Sequence, residues 1–159
     1  MTVFRALLLA ILLLPAAMAT HEAMHVAVYY AFGYDSVLRL RPWDLGLAGI
    51  RLPGFHVAPT GAPPFSLRVL DDFLGPALAV VPSAVLITQV AGRAARAALL
   101  ANVGVQAFFA VIEPGYLLIE RVGRVEADLL LSPWLNYGGV LLIVVAVVWA
   151  RSGRLAEAA

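Results

Sequence analysis

The sequence contains no cysteine, and its basic residues are all arginine. Without cysteine the chain can form neither a disulfide nor a thiolate metal site, and it has no cysteine nucleophile. The eleven arginines are scattered along the chain and the formal net charge is only +1, so the sequence does not indicate a nucleic-acid partner. Any metal ion must therefore be bound by histidine, aspartate or glutamate side chains.

Charged residues are also scarce. They make up 13% of the 159 residues, whereas 62% are hydrophobic, and the mean hydropathy is +0.91. This composition is typical of proteins that cross a membrane several times rather than of soluble domains. We expect an all-α, multi-pass membrane protein that forms a single domain over residues 1–159, in a prokaryotic cell membrane. Its transmembrane helices are predicted near residues 5–33, 72–92, 97–119 and 129–150.

Between the first two predicted spans, residues 34–69 are the least apolar part of the chain. Leucine and arginine alternate over residues 38–41, a pattern that predicts a short strand or hairpin at the membrane interface. Such a strand could hold an extended peptide by pairing with its backbone. Prolines and glycines then predict a loop over residues 53–64, in which His56 is expected to be solvated.

The N-terminal residues also fit a secretory signal peptide. Arg5 precedes a short apolar run, and Ala17-Met18-Ala19 has the form of a cleavage site. Apolar residues continue beyond that site to Phe32, which favours a single uncut first span. A secreted fragment behind a cleaved signal is the alternative.

The sequence predicts specific roles for three groups of residues in the later spans. Asp71 and Asp72 are predicted to cap the start of the second span. Asn102 and Gln106 are predicted to form hydrogen bonds between helices. The stretch Glu113-Pro114-Gly115 predicts a break in the third span, which a membrane protein tolerates only where the backbone lines a cavity or packs on protein.

The most informative motif is His21-Glu22-Ala23-Met24-His25, which lies inside the first apolar run. On a helix, histidines four residues apart lie on one face and can chelate one divalent metal ion, with the glutamate beside them as a general base. Placing a charged side chain at membrane depth costs about 2–3 kcal/mol or more, so such residues usually have a function. The motif therefore predicts a zinc hydrolase site. The alternative is a pair of structural histidines near a helix end.

Two further features accompany this motif: Leu74-Gly75-Pro76 at the start of the next core helix, and an acidic residue near a predicted helix break downstream. In these three features the chain resembles the site-2 protease family of intramembrane zinc metalloproteases, peptidase family M50. The resemblance implies a zinc metalloendopeptidase that cleaves membrane-spanning proteins or peptides within the lipid bilayer. It implies that Zn²⁺ is bound by His21, His25 and Asp128, and that Glu22 is the general base. It also suggests that a substrate groove is lined by Gly75, Pro76 and Asn102.

The third metal ligand has alternatives, because Asp128 is followed by Leu129 where the family has glycine. They are Asp71, Asp72, Glu113, Glu120 and Glu126. With a glutamate ligand the nearest relatives would instead be the M48 membrane metalloproteases, although their Glu-x-x-x-Asp pattern does not occur at Asp128. The competing class of function is a non-enzymatic four-helix membrane scaffold, in which the motif is structural or inert.

Overall fold

A computed structural model describes residues 2–40, 43–44, 51–52, 55–123 and 133–156 of the chain. Most of these residues belong to four helices: α1 (Thr2–Ala31), α2 (Phe65–Gln89), α3 (Arg93–Arg121) and α4 (Pro133–Ala156). The first three are long and apolar enough to cross a membrane. The apolar stretch of α4, Leu135–Arg151, is shorter. The prediction of a mainly helical membrane-type protein is confirmed, whereas the fourth span stays a prediction.

α2 begins seven residues before the predicted start of the second span. Pro64 precedes its first residue with an extended backbone (φ −61°, ψ 152°), and proline suits the start of a helix because its missing N–H is not needed there. Asp71 and Asp72 consequently lie inside the helix, so the prediction that they cap it is wrong. Asp71 is buried, which directs its carboxylate toward the other helices.

α3 continues without interruption to Arg121, and the predicted break at residues 113–115 is also wrong. Pro114 removes only one backbone hydrogen bond from the helix, the bond to the carbonyl of Ala110. Pro114 and Ala110 are both buried, so packing against neighbouring helices holds the turn together. Glu113 therefore projects from a regular helix rather than from a loop.

A β-hairpin follows α1, as the alternation of leucine and arginine predicted. Gly33 makes the turn at the end of α1 with φ +79°, a backbone conformation that glycine adopts without strain. The outer strands β1 (Ser36–Leu40) and β4 (Phe55–Pro59) pair antiparallel, and so do the inner strands β2 (Trp43–Asp44) and β3 (Arg51–Leu52). His56 lies on β4 and is exposed, but in a strand rather than a loop. Both outer strands contact α1.

The helices pack around α3, which contacts each of the other three. Its first half carries small residues that lie against α1 and α4. Such small side chains let the helix backbones approach closely. The buried cluster formed there comprises Ala6, Ala10, Ala97, Ala98, Ala101, Val105, Phe109, Val144 and Val148. Large apolar side chains such as Phe4, Leu12 and Leu142 are exposed on the outside of the bundle, as in a protein surrounded by lipid.

This packing predicts that Ala101→Leu destabilises the protein. Ala101 is fully buried between helices, so the larger side chain must displace its neighbours, at a cost of about 1–3 kcal/mol. Thermal unfolding of the purified chain in detergent should show a lower midpoint for this variant. Val111→Leu on the exposed side of the same helix is the matched control, and equal midpoints for the two variants would contradict the packing described.

Candidate metal centre

The two histidines of the motif face each other inside the bundle. His21, Glu22 and His25 are 1%, 7% and 7% exposed, and all three belong to the uninterrupted helix α1. The four-residue spacing brings the rings together on successive turns, with 3.1 Å between the two Nε2 atoms. The pair is therefore shielded from bulk water.

Glu113 approaches both imidazoles from α3. Its Oε1 lies 3.1 Å from Nε2 of His21, and its Oε2 lies 3.3 Å from Nε2 of His25. Its side chain is 29% exposed as a whole, whereas its Oε2 atom is buried. Two imidazole nitrogens and one carboxylate thus converge on a single point.

Of the other carboxylates considered as third ligand, Asp71 also reaches the histidines, but on the far side of the His25 ring. Its Oδ2 lies 2.9 Å from Nδ1 of His25, not from Nε2. Asp72 lies near the same face of His25 and, with it and Asp71, forms a second group with metal-ligand spacing. Glu120 is exposed further along α3 and accepts a hydrogen bond from Tyr116. Asp128 and Glu126 lie outside the described residues, so their predicted roles stay predictions.

The hydrogen bonds of the rings determine which nitrogens are available. Gln106 donates through Nε2 to the carbonyl of Ala17 at 3.2 Å, which leaves its Oε1 as the acceptor that lies 2.8 Å from Nδ1 of His21. Nδ1 of His21 is therefore the protonated nitrogen, an assignment made from the hydrogen-bond network. An ionised Asp71 carboxylate likewise only accepts, so Nδ1 of His25 carries its proton. When the rings are neutral, each therefore has its lone pair on Nε2, pointing to the shared centre.

This arrangement fits a metal cation. When both rings are neutral, two lone pairs and a carboxylate repel one another at 3.1–3.3 Å, and a cation between them would relieve this repulsion. Ligand bonds of about 2.0–2.2 Å in a tetrahedral zinc site place neighbouring ligand atoms about 3.3–3.6 Å apart, slightly more than the spacing found here. Glu113 Oε2 is also a buried oxygen atom with no hydrogen-bond partner among the described residues. His21, His25 and Glu113 could hold the ion, with Asp71 supporting His25.

Glu22 occupies a different position from these ligand groups. It is buried next to the two histidines, and its carboxylate accepts a hydrogen bond from the backbone N–H of Val57 on β4. The hairpin therefore contacts the motif directly, and β4 lies beside the centre. A carboxylate held close to a metal site without being one of its converging ligands is placed to exchange a proton there.

Of the residues predicted to line a substrate groove, two lie on α2 and one lies on α3. Gly75 packs directly on His25, since a Cβ at this position would come within 2.6 Å of the ring. Pro76 beside it is buried. Asn102 donates to Ser83 at 3.2 Å and so links α3 to α2, as the predicted bond between helices requires. A substrate groove at these residues stays a prediction.

From the sequence, Asp128 is preferred to Glu113 as third ligand, and the pairing of the histidines with Asp71 and Gln106 is not predicted. A usable signal was present on α3, because Gln106 and Glu113 are seven residues apart, two turns of a helix, and share a face. Reading the Glu113 segment as a helix break concealed that relation. Comparison with known protein families, with characterised proteins and with solved structures finds no match for the chain.

The contact between Gly75 and His25 predicts that Gly75→Ala weakens metal binding. The added methyl group must push the imidazole out of line with its partners, which we expect to lower zinc affinity about tenfold or more. Competition with a chromophoric chelator measures this affinity. Gly138→Ala is the matched control, because a Cβ at that position meets no atom within 4 Å among the described residues. Equal affinities for the two variants would show that His25 does not need the space at Gly75.

Proposed function

We propose that the chain is a membrane-embedded zinc metalloendopeptidase with His21, His25 and Glu113 as metal ligands. The observation that supports this most strongly is the convergence of both Nε2 atoms and the Glu113 carboxylate within 3.1–3.3 Å. Two histidines and a glutamate, with a fourth position left for water or substrate, form one of the known ligand sets of catalytic zinc sites. A structural zinc site would usually have a fourth protein ligand.

Zinc at this position would polarise a peptide carbonyl and make a water molecule nucleophilic near neutral pH. Glu22 acts as the general base: its carboxylate takes a proton from the attacking water and passes it to the leaving nitrogen. The bond from the N–H of Val57 orients Glu22 for this step. Burial of the centre keeps competing water away and strengthens the electrostatic interactions inside it.

The proposed substrate is a membrane-spanning protein or peptide. The ligands lie on α1 and α3, helices that are long and apolar enough to cross a bilayer, so a substrate meets the centre at membrane depth. A substrate helix must unwind there, because its amides are otherwise protected by hydrogen bonds. β4 lies beside Glu22 and could pair with the extended segment, as strands do in other peptide-binding proteins.

Kinship with the site-2 protease family is part of the proposal and is supported by the motifs and by the hairpin after the first helix. A glutamate ligand departs from that family, in which the third ligand is an aspartate, and agrees instead with the M48 alternative. Leu117 stands four residues after Glu113, so the Glu-x-x-x-Asp pattern of M48 enzymes does not occur at Glu113 either. The ligand geometry therefore supports this function more than the resemblance to either family does.

We expect Glu22→Gln to bind zinc like the parent and to lose peptide cleavage. Glutamine keeps the shape of the side chain but cannot take a proton, and loss of a general base lowers rates about 10²–10⁴-fold. Cleavage of a mixture of quenched fluorescent peptides by the detergent-purified chain measures the loss. Glu120→Gln, on the exposed part of α3, is the control. Cleavage by Glu22→Gln at the parent rate would show that Glu22 is not the general base.

The third ligand can be tested by metal analysis. The parent chain should contain one zinc ion per molecule after dialysis, and Glu113→Ala should lose most of it, because only two imidazoles then hold the ion. Asp128→Asn should keep zinc at the parent level. The opposite result, with zinc lost from Asp128→Asn and kept in Glu113→Ala, would show that Asp128 is the third ligand, as predicted from the sequence. A zinc-free parent chain would favour the non-enzymatic scaffold.

A further inference from the structure

We propose that Asp71 and Gln106 are positioning residues that hold both imidazoles with the proton on Nδ1, and that the charge of Asp71 makes His25 the stronger of the two histidine ligands. The proposal rests on the metal centre proposed above and concerns residues that do not themselves contact the metal. Both side chains are almost completely buried, with 2% of Asp71 and 0% of Gln106 exposed.

Gln106 is suited to this role because it forms two hydrogen bonds in opposite directions. Its Oε1 accepts from Nδ1 of His21 at 2.8 Å, and its Nε2 donates to the carbonyl of Ala17 at 3.2 Å. Ala17 lies one turn before His21 on α1, so the amide joins α3 to the ligand and to the helix that carries it. A glutamate of the same shape could not form both bonds, because its carboxylate would face the Ala17 carbonyl as a second acceptor.

Asp71 provides a different kind of support to His25. Its Oδ2 accepts from Nδ1 at 2.9 Å, and its Oδ1 is buried with no hydrogen-bond partner among the described residues. The hydrogen bonds to His25 and to the buried Tyr29 hydroxyl compensate for burying this carboxylate, which is costly without a partner. A carboxylate behind a metal-binding imidazole raises the basicity of the ring and strengthens its bond to the metal. His21 has only a neutral amide in the equivalent position.

The positioning matters because an imidazole can bind the metal through Nε2 only when Nε2 has no proton. If either ring moved its proton to Nε2, an N–H group would point at the other ring across the 3.1 Å gap and the site would lose a ligand. Phe109 packs edge-on against His21, with 5.5 Å between ring centroids, and Gly75 lies directly against His25. These contacts limit rotation of the rings, whereas the two acceptors determine where the protons reside.

The test combines zinc affinity with the protonation pattern of the histidines in the full-length chain in detergent. Zinc affinity, from chelator competition, should fall about tenfold in Asp71→Asn and Gln106→Leu, and up to about 100-fold in Asp71→Leu. Asp71→Asn keeps the shape and an acceptor oxygen, so it isolates the effect of the charge. Ser83→Ala is the control, because it removes a buried hydrogen bond between α2 and α3 away from the histidines and should keep the parent affinity.

The second readout is nitrogen NMR of histidine side chains, which distinguishes Nδ1–H from Nε2–H. The chain has only three histidines, and His56 on β4 provides a reference signal outside the centre. Zinc-loaded parent should show protons on Nδ1 of both His21 and His25. In Gln106→Leu the His21 ring should also populate the Nε2–H form when zinc is removed. Circular dichroism of the helices identifies any variant that fails to fold. If Asp71→Leu does not fold, the zinc affinity of the more conservative variant Asp71→Asn tests the role of Asp71.

The outcomes separate this inference from the proposed function. If the parent binds one zinc and all three variants bind it equally well with unchanged protonation, the positioning role is wrong and the metal centre stands. If the parent binds no zinc, the proposed function is wrong. Protons on Nε2 in the zinc-loaded parent would overturn the positioning role directly.

Discussion

Two imidazole lone pairs directed at each other across 3.1 Å, with a carboxylate against both, form the constraint on which the rest of this structure depends. With neutral rings such a cluster is repulsive, and burial makes the repulsion stronger because water no longer screens it. A proton on one ring could relieve the contact between the rings and would pair that ring with the glutamate. A metal ion differs in that it can bond to all three groups at once.

α3 has two roles, and different parts of the helix perform them. Its first half carries the alanines that pack closely on α1 and α4, whereas Gln106 near its middle and Glu113 in its second half complete the centre. Close packing of α1 and α3 at one end therefore sets how deep the two polar side chains sit against His21 and His25. The interface between α1 and α3 thus determines both the helix packing and the geometry of the ligands. α2 adds Asp71 and Gly75 from the opposite side.

The sequence was sufficient for the features that depend on local pattern. Composition predicted a membrane-type helical protein, alternation predicted the hairpin, and the His-Glu-x-x-His spacing predicted two rings on one face of a helix. The features that were wrong depend on tertiary context. Pro64 starts α2 early enough to make Asp71 an interior residue, and burial of Pro114 keeps α3 helical, so Glu113 faces the histidines. A proline and a glycine beside a charged residue ordinarily indicate a break, and only packing decides against it.

X-ray absorption at the zinc edge of the purified, zinc-loaded chain tests the central claim most directly, since it reports the atoms bonded to the metal. A cation held between the facing rings should give scattering from two imidazoles and from oxygen ligands, with bonds of about 2.0–2.2 Å. A first shell without imidazole scattering, or a chain that retains no zinc at all, would contradict the assignment of His21 and His25 as ligands.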